Sequence, residues 1–106
     1  MLIQIITTSD KRDELENIAT RLVKQRLAAC CQIDGPITSI YSWNDNVESA
    51  EEFRCTIKTL ADNFDAVKSM ILELHSYQQP QIVSLKIEQA EPGFQQWVET
   101  SVDVQA

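Results

Sequence analysis

The stretch CCQIDGPITSIYSWNDNVESAEEFRCTIKTL, residues 30–60, decides the fold because it predicts one long β-hairpin. Residues 29–43 form one extended segment whose side chains alternate between two faces. A second long strand follows over residues 47–60, after the turn Asn44-Asp45-Asn46. Gly35-Pro36 interrupts the first strand and predicts a bulge or a bend.

Outward from the hairpin, apolar periodicity predicts two further strands and three helices. Strands are predicted at residues 2–8 and 81–89; helices are predicted at residues 13–27, from Asp62 to about His75, and briefly after the break at residues 91–93. The order is strand, helix, strand, strand, helix, strand, with a short C-terminal helix. This order predicts a single α+β domain, residues 1–106, with the ferredoxin-like βαββαβ plait and both crossover helices on one face of the sheet.

The hairpin is long for a domain of this size. A strand over residues 30–43 would span about 45 Å at about 3.3 Å per residue, whereas the radius of gyration of such a domain is about 13 Å. The hairpin carries Tyr41, Trp43 and Phe53, and projecting aromatic residues and unpaired strand edges are a liability in a monomer. We therefore expect a homo-oligomer that pairs these edges.

The net charge indicates which partners to expect, and the cysteines indicate the compartment. The net charge is −7, whereas nucleic acids and anionic membranes require a basic surface. We expect neither a nucleic-acid partner nor a membrane partner. Met1 leads directly into an apolar strand without a basic segment, and three cysteines without a framework spacing are typical of a reducing compartment. The sequence predicts a cytoplasmic protein.

The candidate metal ligands are the single histidine, His75, and one cysteine, Cys30. Imidazole and thiolate suit copper and zinc better than calcium or magnesium. Each residue also has a structural interpretation: Cys30 as a small buried apolar residue, and His75 as the C-cap of a helix, where the macrodipole favours it. Two ligands leave a tetrahedral zinc site incomplete, so a structural zinc site is not expected.

Four other residues are candidates for lining a cleft between subunits: Lys58, Tyr77, Tyr41 and Trp43. Lys58 would hold an anionic ligand there or would simply be solvated. Tyr41 and Trp43 would alternatively pack in the core of an oligomer interface, where aromatic residues are enriched.

The remaining polar and sulfur-bearing residues are interpreted as structural. Glu48, Glu51 and Glu52 form a small acidic cluster near the hairpin turn, which would either attract cations weakly or, as the favoured interpretation, form a solvated edge that discourages strand mispairing. Cys31 and Cys55 are expected to pack as structural residues. The chain has no GxSxG motif, and its histidine has no assured nucleophile partner, so we do not expect an enzyme.

Several short blocks occur in a fixed order along the chain. They are Arg26-Leu27-Ala28-Ala29-Cys30, Ser39-Ile40-Tyr41-Ser42-Trp43, Val47-Glu48, Ile57-Lys58-Thr59, the segment with His75, Tyr77, Pro80 and Ile82, and Trp97. Through these blocks the chain resembles the CutA divalent-cation tolerance family over nearly its whole length. The resemblance implies a homotrimer of ferredoxin-like subunits held together by the long hairpins. It also implies binding of copper(II) or another divalent cation such as zinc, a link to metal tolerance and no established catalytic activity.

The chain departs from the family pattern beside His75. The family commonly reads His-Pro-Tyr-Glu-x-Pro-Glu, whereas this chain has Ser76 for the proline and Gln78 and Gln81 for the two glutamates. Because a neutral amide is a weaker ligand than a carboxylate, these changes predict weaker metal affinity. The leading hypothesis is a copper-binding, metal-tolerance homotrimer. The alternative is a trimeric signalling protein that binds a small anionic ligand in its intersubunit clefts.

Overall fold

A computed structural model describes residues 1–104. The elements are β1 (Leu2–Ser9), α1 (Arg12–Lys24), β2 (Cys30–Trp43), β3 (Asn46–Leu60), a 3-10 turn (Ala61–Asn63), α2 (Phe64–Leu74), β4 (Val83–Lys86) and α3 (Pro92–Ser101). The predicted element order is confirmed. The predicted domain, residues 1–106, includes residues 105 and 106, which lie outside the described residues.

The four strands form one antiparallel sheet in the order β2-β3-β1-β4. β1 lies inside the sheet and pairs with β3 along its whole length, from Leu2 opposite Leu60 to Ser9 opposite Phe53. This is the strand order of a ferredoxin-like plait, so the predicted α+β class is confirmed. The edge strands are β2 and β4, and the predicted homotrimer stays a prediction.

The main core lies between one face of the sheet and the two long helices. Apolar residues at helical spacing, such as Leu15, Ile18 and Leu22 of α1, pack against Ile5 and Ile57 of the sheet and are fully buried. The periodicity that predicted α1 therefore also fixed which face is buried. A smaller cluster forms where Val98 of α3 packs with Leu2 and Ala29.

The hairpin bends where the sequence predicted an interruption. The register of β2 with β3 shifts between Asp34 and Ile37, which is a β-bulge. Gly35 has φ of +138°, and a Cβ atom there would lie 2.9 Å from Phe53 Cδ1. Only glycine fits this position without strain. Beyond the bulge the paired strands continue to the turn at Asn44 and Asp45, and the molecule measures 44 × 26 × 21 Å.

Three predicted boundaries were wrong. α1 ends at Lys24 rather than at residue 27. β4 spans four residues, Val83–Lys86, instead of residues 81–89, because its ladder with β1 covers only Ile3 to Ile6. The C-terminal helix begins earlier than predicted, within residues 91–93: Glu91 is the N-cap of α3 and accepts the N–H of Phe94 at 2.8 Å. Pro92 occupies the first turn of α3, where its missing N–H costs nothing.

Helices of membrane-spanning length and hydrophobicity are absent from residues 1–104.

Candidate functional site

His75 ends α2 and is held on both ring nitrogens. Its Nε2 lies 2.7 Å from the carbonyl oxygen of Thr8, and its Nδ1 lies 3.0 Å from the backbone nitrogen of Tyr77. Since the first partner is an acceptor and the second a donor, the geometry assigns a neutral imidazole protonated at Nε2. The side chain is fully buried. In this arrangement neither ring nitrogen is open to a metal ion.

The carboxylate of Glu14, in α1, holds the region around His75 in place. Glu14 accepts hydrogen bonds from the Ser9 hydroxyl at 2.7 Å and the Ser76 backbone N–H at 2.9 Å, and its Oε2 lies 3.4 Å from His75 Nδ1. Burial raises the pKa of the Glu14 carboxyl, but the hydrogen bonds from Ser9 and from the hydroxyl and backbone N–H of Ser76 lower it, and the pKa is lowered overall. The start of the loop after α2 is therefore tied to α1.

Tyr77 connects the loop after α2 to the hairpin. Its hydroxyl donates to Glu52 Oε2 at 2.7 Å and accepts the N–H of Asp10 at 2.8 Å. Burial, followed by the hydrogen bond to Glu52, raises the pKa of the Tyr77 hydroxyl. The hydroxyl therefore stays protonated at neutral pH and acts as a fixed donor to the carboxylate.

A cavity of about 720 Å³ opens between the loop after α2 and the hairpin. Its walls are aromatic, amide and hydroxyl groups, with one carboxylate. The lining residues are Thr8, Ser39, Ile40, Tyr41, Trp43, Glu52, Tyr77, Gln78, Gln79, Pro80 and Gln81. The structure thus brings together three of the four predicted cleft residues, Tyr41, Trp43 and Tyr77, within one chain.

Glu52 is the only charged side chain among the described residues that line the cavity. It is 7% exposed, and the ion pairs found within residues 1–104 do not include it. A buried carboxylate is costly unless a cation or hydrogen bonds compensate its charge. The hydrogen bond from the Tyr77 hydroxyl compensates part of this charge, and no cationic side chain among the described lining residues adds to it.

Cys30 and Lys58 lie elsewhere on the sheet. They face each other across β2 and β3, and Lys58 in turn lies opposite Gln4 of β1. His75 contacts Thr8, four residues farther along β1, a distance of about 13 Å along the strand. Lys58 Nζ lies 3.4 Å from Gln32 Oε1. One chain therefore does not bring Cys30 to His75, or Lys58 to the cavity.

Sequence reasoning missed the burial of Glu52 in the cavity. The expectation of a solvated cluster holds for Glu48 and Glu51, which are exposed, but Glu52 is buried. The register shift at the bulge separates two parts of the β2–β3 ladder, and Glu52 is the first residue of β3 beyond it, paired with Ile37. Its partner Tyr77 lies 25 residues away in the sequence, so no local pattern signals their contact.

Comparison with known proteins gives the same family along most of the chain. Residues 3–101 match the model of the family described as CutA1 divalent ion tolerance protein. The chain belongs to the CutA1 family. It is 35% identical over 99 residues to the divalent-cation tolerance protein CutA of Archaeoglobus fulgidus, covering 93% of this chain and 96% of the relative.

Solved CutA1 structures share the fold. The divalent cation tolerance protein (Cut A1) of Thermus thermophilus superposes with a TM-score of 0.94 at 31% identity, covering 97% of this chain and 100% of that chain. CutA of Xylella fastidiosa gives a TM-score of 0.93 at 28% identity, covering 96% and 98%. The resemblance inferred from the short sequence blocks is therefore confirmed, and the chain belongs to a family named for divalent-cation tolerance.

Proposed function

We propose that this CutA1 protein binds a divalent metal ion, with copper(II) as the preferred ion, and thereby contributes to metal-ion tolerance. The observation that carries the proposal is the burial of Glu52 in the cavity, with no cationic side chain among the described residues of its lining. A bound cation would compensate this charge. The family is named for tolerance of divalent ions, and we therefore infer that the bound ion is divalent.

The donors that line the cavity suit a divalent ion. Glu52 supplies a carboxylate, and Gln78 and Gln81 supply amide oxygens from the loop after α2. Copper(II) has the highest affinity of the divalent first-row ions for a given set of nitrogen and oxygen donors, and zinc binds less tightly. Water molecules would complete the coordination of the ion, since the cavity is larger than a single ion needs.

The alternative function, an anionic ligand in an intersubunit cleft, has less support. Its predicted cation, Lys58, pairs with Gln32 away from the cavity. Glu52 would repel an anion inside the cavity. A thermal-shift series with small anionic metabolites tests this alternative, and stabilisation that is lost on Lys58→Gln would favour it.

The proposal includes a homotrimer formed through the sheet edges. The edge strand β4 exposes Val83 and Leu85, and the far hairpin exposes Ile40, which is 72% accessible, and Trp43. Unpaired edges with apolar side chains are what oligomers cover. We also place the protein in the cytoplasm, in a binding role without catalysis and without nucleic-acid or membrane partners. Three free cysteines and the net charge of −7 support this placement.

Calorimetric titration of the metal-free protein with copper(II), and then with zinc, tests the function. We expect binding with a dissociation constant of about 1 μM or tighter, lost on Glu52→Gln. The matched control is Glu51→Gln, which removes the same charge from an exposed neighbour. Equal binding by both variants would contradict a site at Glu52.

His75→Ala and Cys30→Ser test the two ligands predicted from sequence. If copper contacts the His75 ring directly, His75→Ala abolishes binding while Glu52→Gln spares it. If His75 only positions Tyr77, His75→Ala weakens binding less than Glu52→Gln does. Absence of binding by the wild-type protein would reject the metal-binding function itself.

A further inference from the structure

The cavity at Glu52 also has an aromatic wall, which a bound metal ion would not use. Tyr41 and Trp43 both line the cavity, and they are two residues apart on β2, so their side chains share one face of the hairpin. The two residues are 45% and 49% exposed. Within residues 1–104 neither ring contacts another ring or a cationic side chain. Both rings are therefore open to an occupant of the cavity.

The Glu52 carboxylate has one oxygen engaged and one open. The Tyr77 hydroxyl accepts the N–H of Asp10, so its own hydrogen is donated to Glu52 Oε2, as expected for an ionised carboxylate. Within residues 1–104 this is the only hydrogen bond of the Glu52 side chain. Thr7 Oγ1 is the one fully buried side-chain oxygen or nitrogen without a partner in that part of the chain, so Glu52 Oε1 is accessible from the cavity.

The carboxylate and the aromatic wall lie at different places along the same face of the hairpin. Glu52 of β3 pairs with Ile37 of β2, and directly opposite residues of two paired strands share a face. Tyr41 follows Ile37 by four residues, a distance of about 13 Å along the strand. An occupant that uses both features must therefore be extended, with separate polar and apolar parts. The volume of about 720 Å³ lies within the range of about 300–1,000 Å³ for small-molecule sites.

We propose that this cavity binds a small organic ammonium ion with an extended apolar body. The ammonium group donates to Glu52 Oε1, and the amide oxygens of Gln78 and Gln81 are further acceptors in the lining. The body of the ligand packs on Tyr41 and Trp43, whose rings attract an aromatic group or a cation. The net charge of −7 raises the local concentration of cations around the protein.

Other classes of ligand fit this lining less well. An anion would be repelled by Glu52. A neutral apolar ligand would exclude water from Glu52 Oε1 without giving it a donor, which is costly. A linear diamine would bring a second ammonium group, and the described lining residues offer one carboxylate. The lining therefore selects a ligand with a single positive charge at one end.

This inference goes beyond the metal-binding function and does not depend on it. Copper(II) and zinc test the carboxylate alone, whereas an organic ammonium ion tests the carboxylate and the aromatic wall together. Copper(II) binding without amine binding would overturn the present proposal and leave the metal-binding function standing. Amine binding without copper(II) binding would support the present proposal and reject the metal-binding function.

The experiment is a calorimetric titration of the metal-free, full-length protein with three probes. Phenylbutylamine carries an ammonium group at pH 7 and a benzene ring, joined by a four-carbon chain. Phenylbutanol replaces the charge by a neutral hydroxyl, and butylamine lacks the ring. We expect one phenylbutylamine per chain, with phenylbutanol bound about 10-fold or more weakly because the charged hydrogen bond is lost. Butylamine should also bind about 10-fold or more weakly, because it buries no ring.

Two pairs of variants locate the bound amine. Glu52→Gln keeps an acceptor for the Tyr77 hydroxyl and should remove the preference for phenylbutylamine over phenylbutanol. Its control is Glu51→Gln, at an exposed position on the opposite face of β3. Trp43→Leu should weaken phenylbutylamine binding by about 3- to 10-fold and leave butylamine binding unchanged. Its control is Trp97→Leu, because Trp97 is 46% exposed on α3, away from the cavity lining.

The probe series on the wild-type protein keeps the proposal testable if Glu52→Gln folds poorly. Equal affinity for phenylbutylamine and phenylbutanol would overturn the role of the carboxylate. Equal losses in Trp43→Leu and Trp97→Leu would overturn the role of the aromatic wall. An amine response that disappears at protein concentrations where the chain self-associates would mean that a second copy covers the rings, and it would also overturn the proposal.

Discussion

The hydroxyl of Tyr77 donates to Glu52 Oε2 at 2.7 Å, and this contact closes the loop after α2 onto the hairpin. The hydroxyl oxygen of Tyr77 also accepts the N–H of Asp10, just after the end of β1. One side chain therefore links three segments that are distant in sequence, and the position of the Glu52 carboxylate in the cavity depends on it.

Tyr77→Phe should reduce the free energy of unfolding by about 1–2 kcal/mol, because it leaves the Glu52 carboxylate without this donor and the Asp10 N–H without this acceptor. Urea denaturation monitored by circular dichroism measures the change. Tyr41→Phe is the matched control: Tyr41 is 45% exposed on the hairpin, and its variant should stay within about 0.5 kcal/mol of the wild type. Equal effects of the two changes would contradict a structural role for the Tyr77 hydroxyl.

Glu14 should make stability depend on pH in the acid range. Its pKa in the folded protein is below the ordinary value of 4.5, so the folded state favours the charged carboxylate. The resulting stabilisation is complete above about pH 5 and is lost as the pH falls through the lowered folded pKa. Glu14→Gln should therefore be less stable than the wild type at pH 6, and the difference should shrink towards pH 3.

The control for this pH profile is Glu16→Gln. Glu16 lies two residues after Glu14 on the exposed side of α1 and pairs with Arg12 at 3.3 Å. Such an exposed ion pair contributes about 0.2–1 kcal/mol, so this variant should follow the wild-type profile closely. A difference between wild type and Glu14→Gln that stays constant from pH 6 to pH 3 would contradict the assignment.

Gly35→Ala should destabilise the protein by about 1–3 kcal/mol, because a side chain at φ of +138° is strained and its Cβ would clash with Phe53. Thermal and urea unfolding measure the loss. Gly93→Ala is the comparison: Gly93 lies in the first turn of α3, and the nearest atom to its added Cβ is Oε1 of the Glu91 side chain, at 3.0 Å. There the better helix propensity of alanine offsets the close contact, so we expect a change within about 1 kcal/mol.

Leu85→Lys should weaken the proposed trimer, since it places a charge on the exposed edge strand β4. Sedimentation equilibrium should give three times 12.1 kDa for the wild type and a concentration-dependent lower mass for the variant. Leu72→Lys is matched to it, because Leu72 is 51% exposed on α2 and Leu85 is 53% exposed. A wild-type mass of one chain would reject the trimer, and equal loss of mass in both variants would reject β4 as the contact.

Most of the fold could be predicted because it depends on patterns that are local in sequence. Alternation along residues 30–60 and helical spacing around Leu15 and Ile18 each specify a buried face, and the order of elements then leaves few topologies. The ends of β4 could not be predicted, because they depend on how many of its residues pair with β1. The start of α3 was missed because Pro92 and Gly93 are typical of a break and also of a first helical turn.

The candidate site was predictable only in part. Tyr41, Trp43 and Tyr77 were expected in a cleft between subunits, and they line one cavity within a single chain, so the intersubunit cleft stays a prediction. Glu52 was not expected there, since its burial arises from a bulge and from a contact with Tyr77 across the fold. The diagonal placement of Cys31 and Cys55 on neighbouring strands likewise depends on the register of those strands, which alternation alone leaves undefined.

The bulge at residues 34–37 divides the hairpin into two parts that contribute differently to the stability of the subunit. On the near side, Cys55 and Ile57 belong to the core, so changes there alter the stability of each subunit. On the far side, Ile40 and Val47 touch little of their own chain, since they are 72% and 81% exposed. Substitutions at separated positions act additively. The tip is therefore a region where substitutions at these exposed positions should leave the stability of the subunit nearly unchanged.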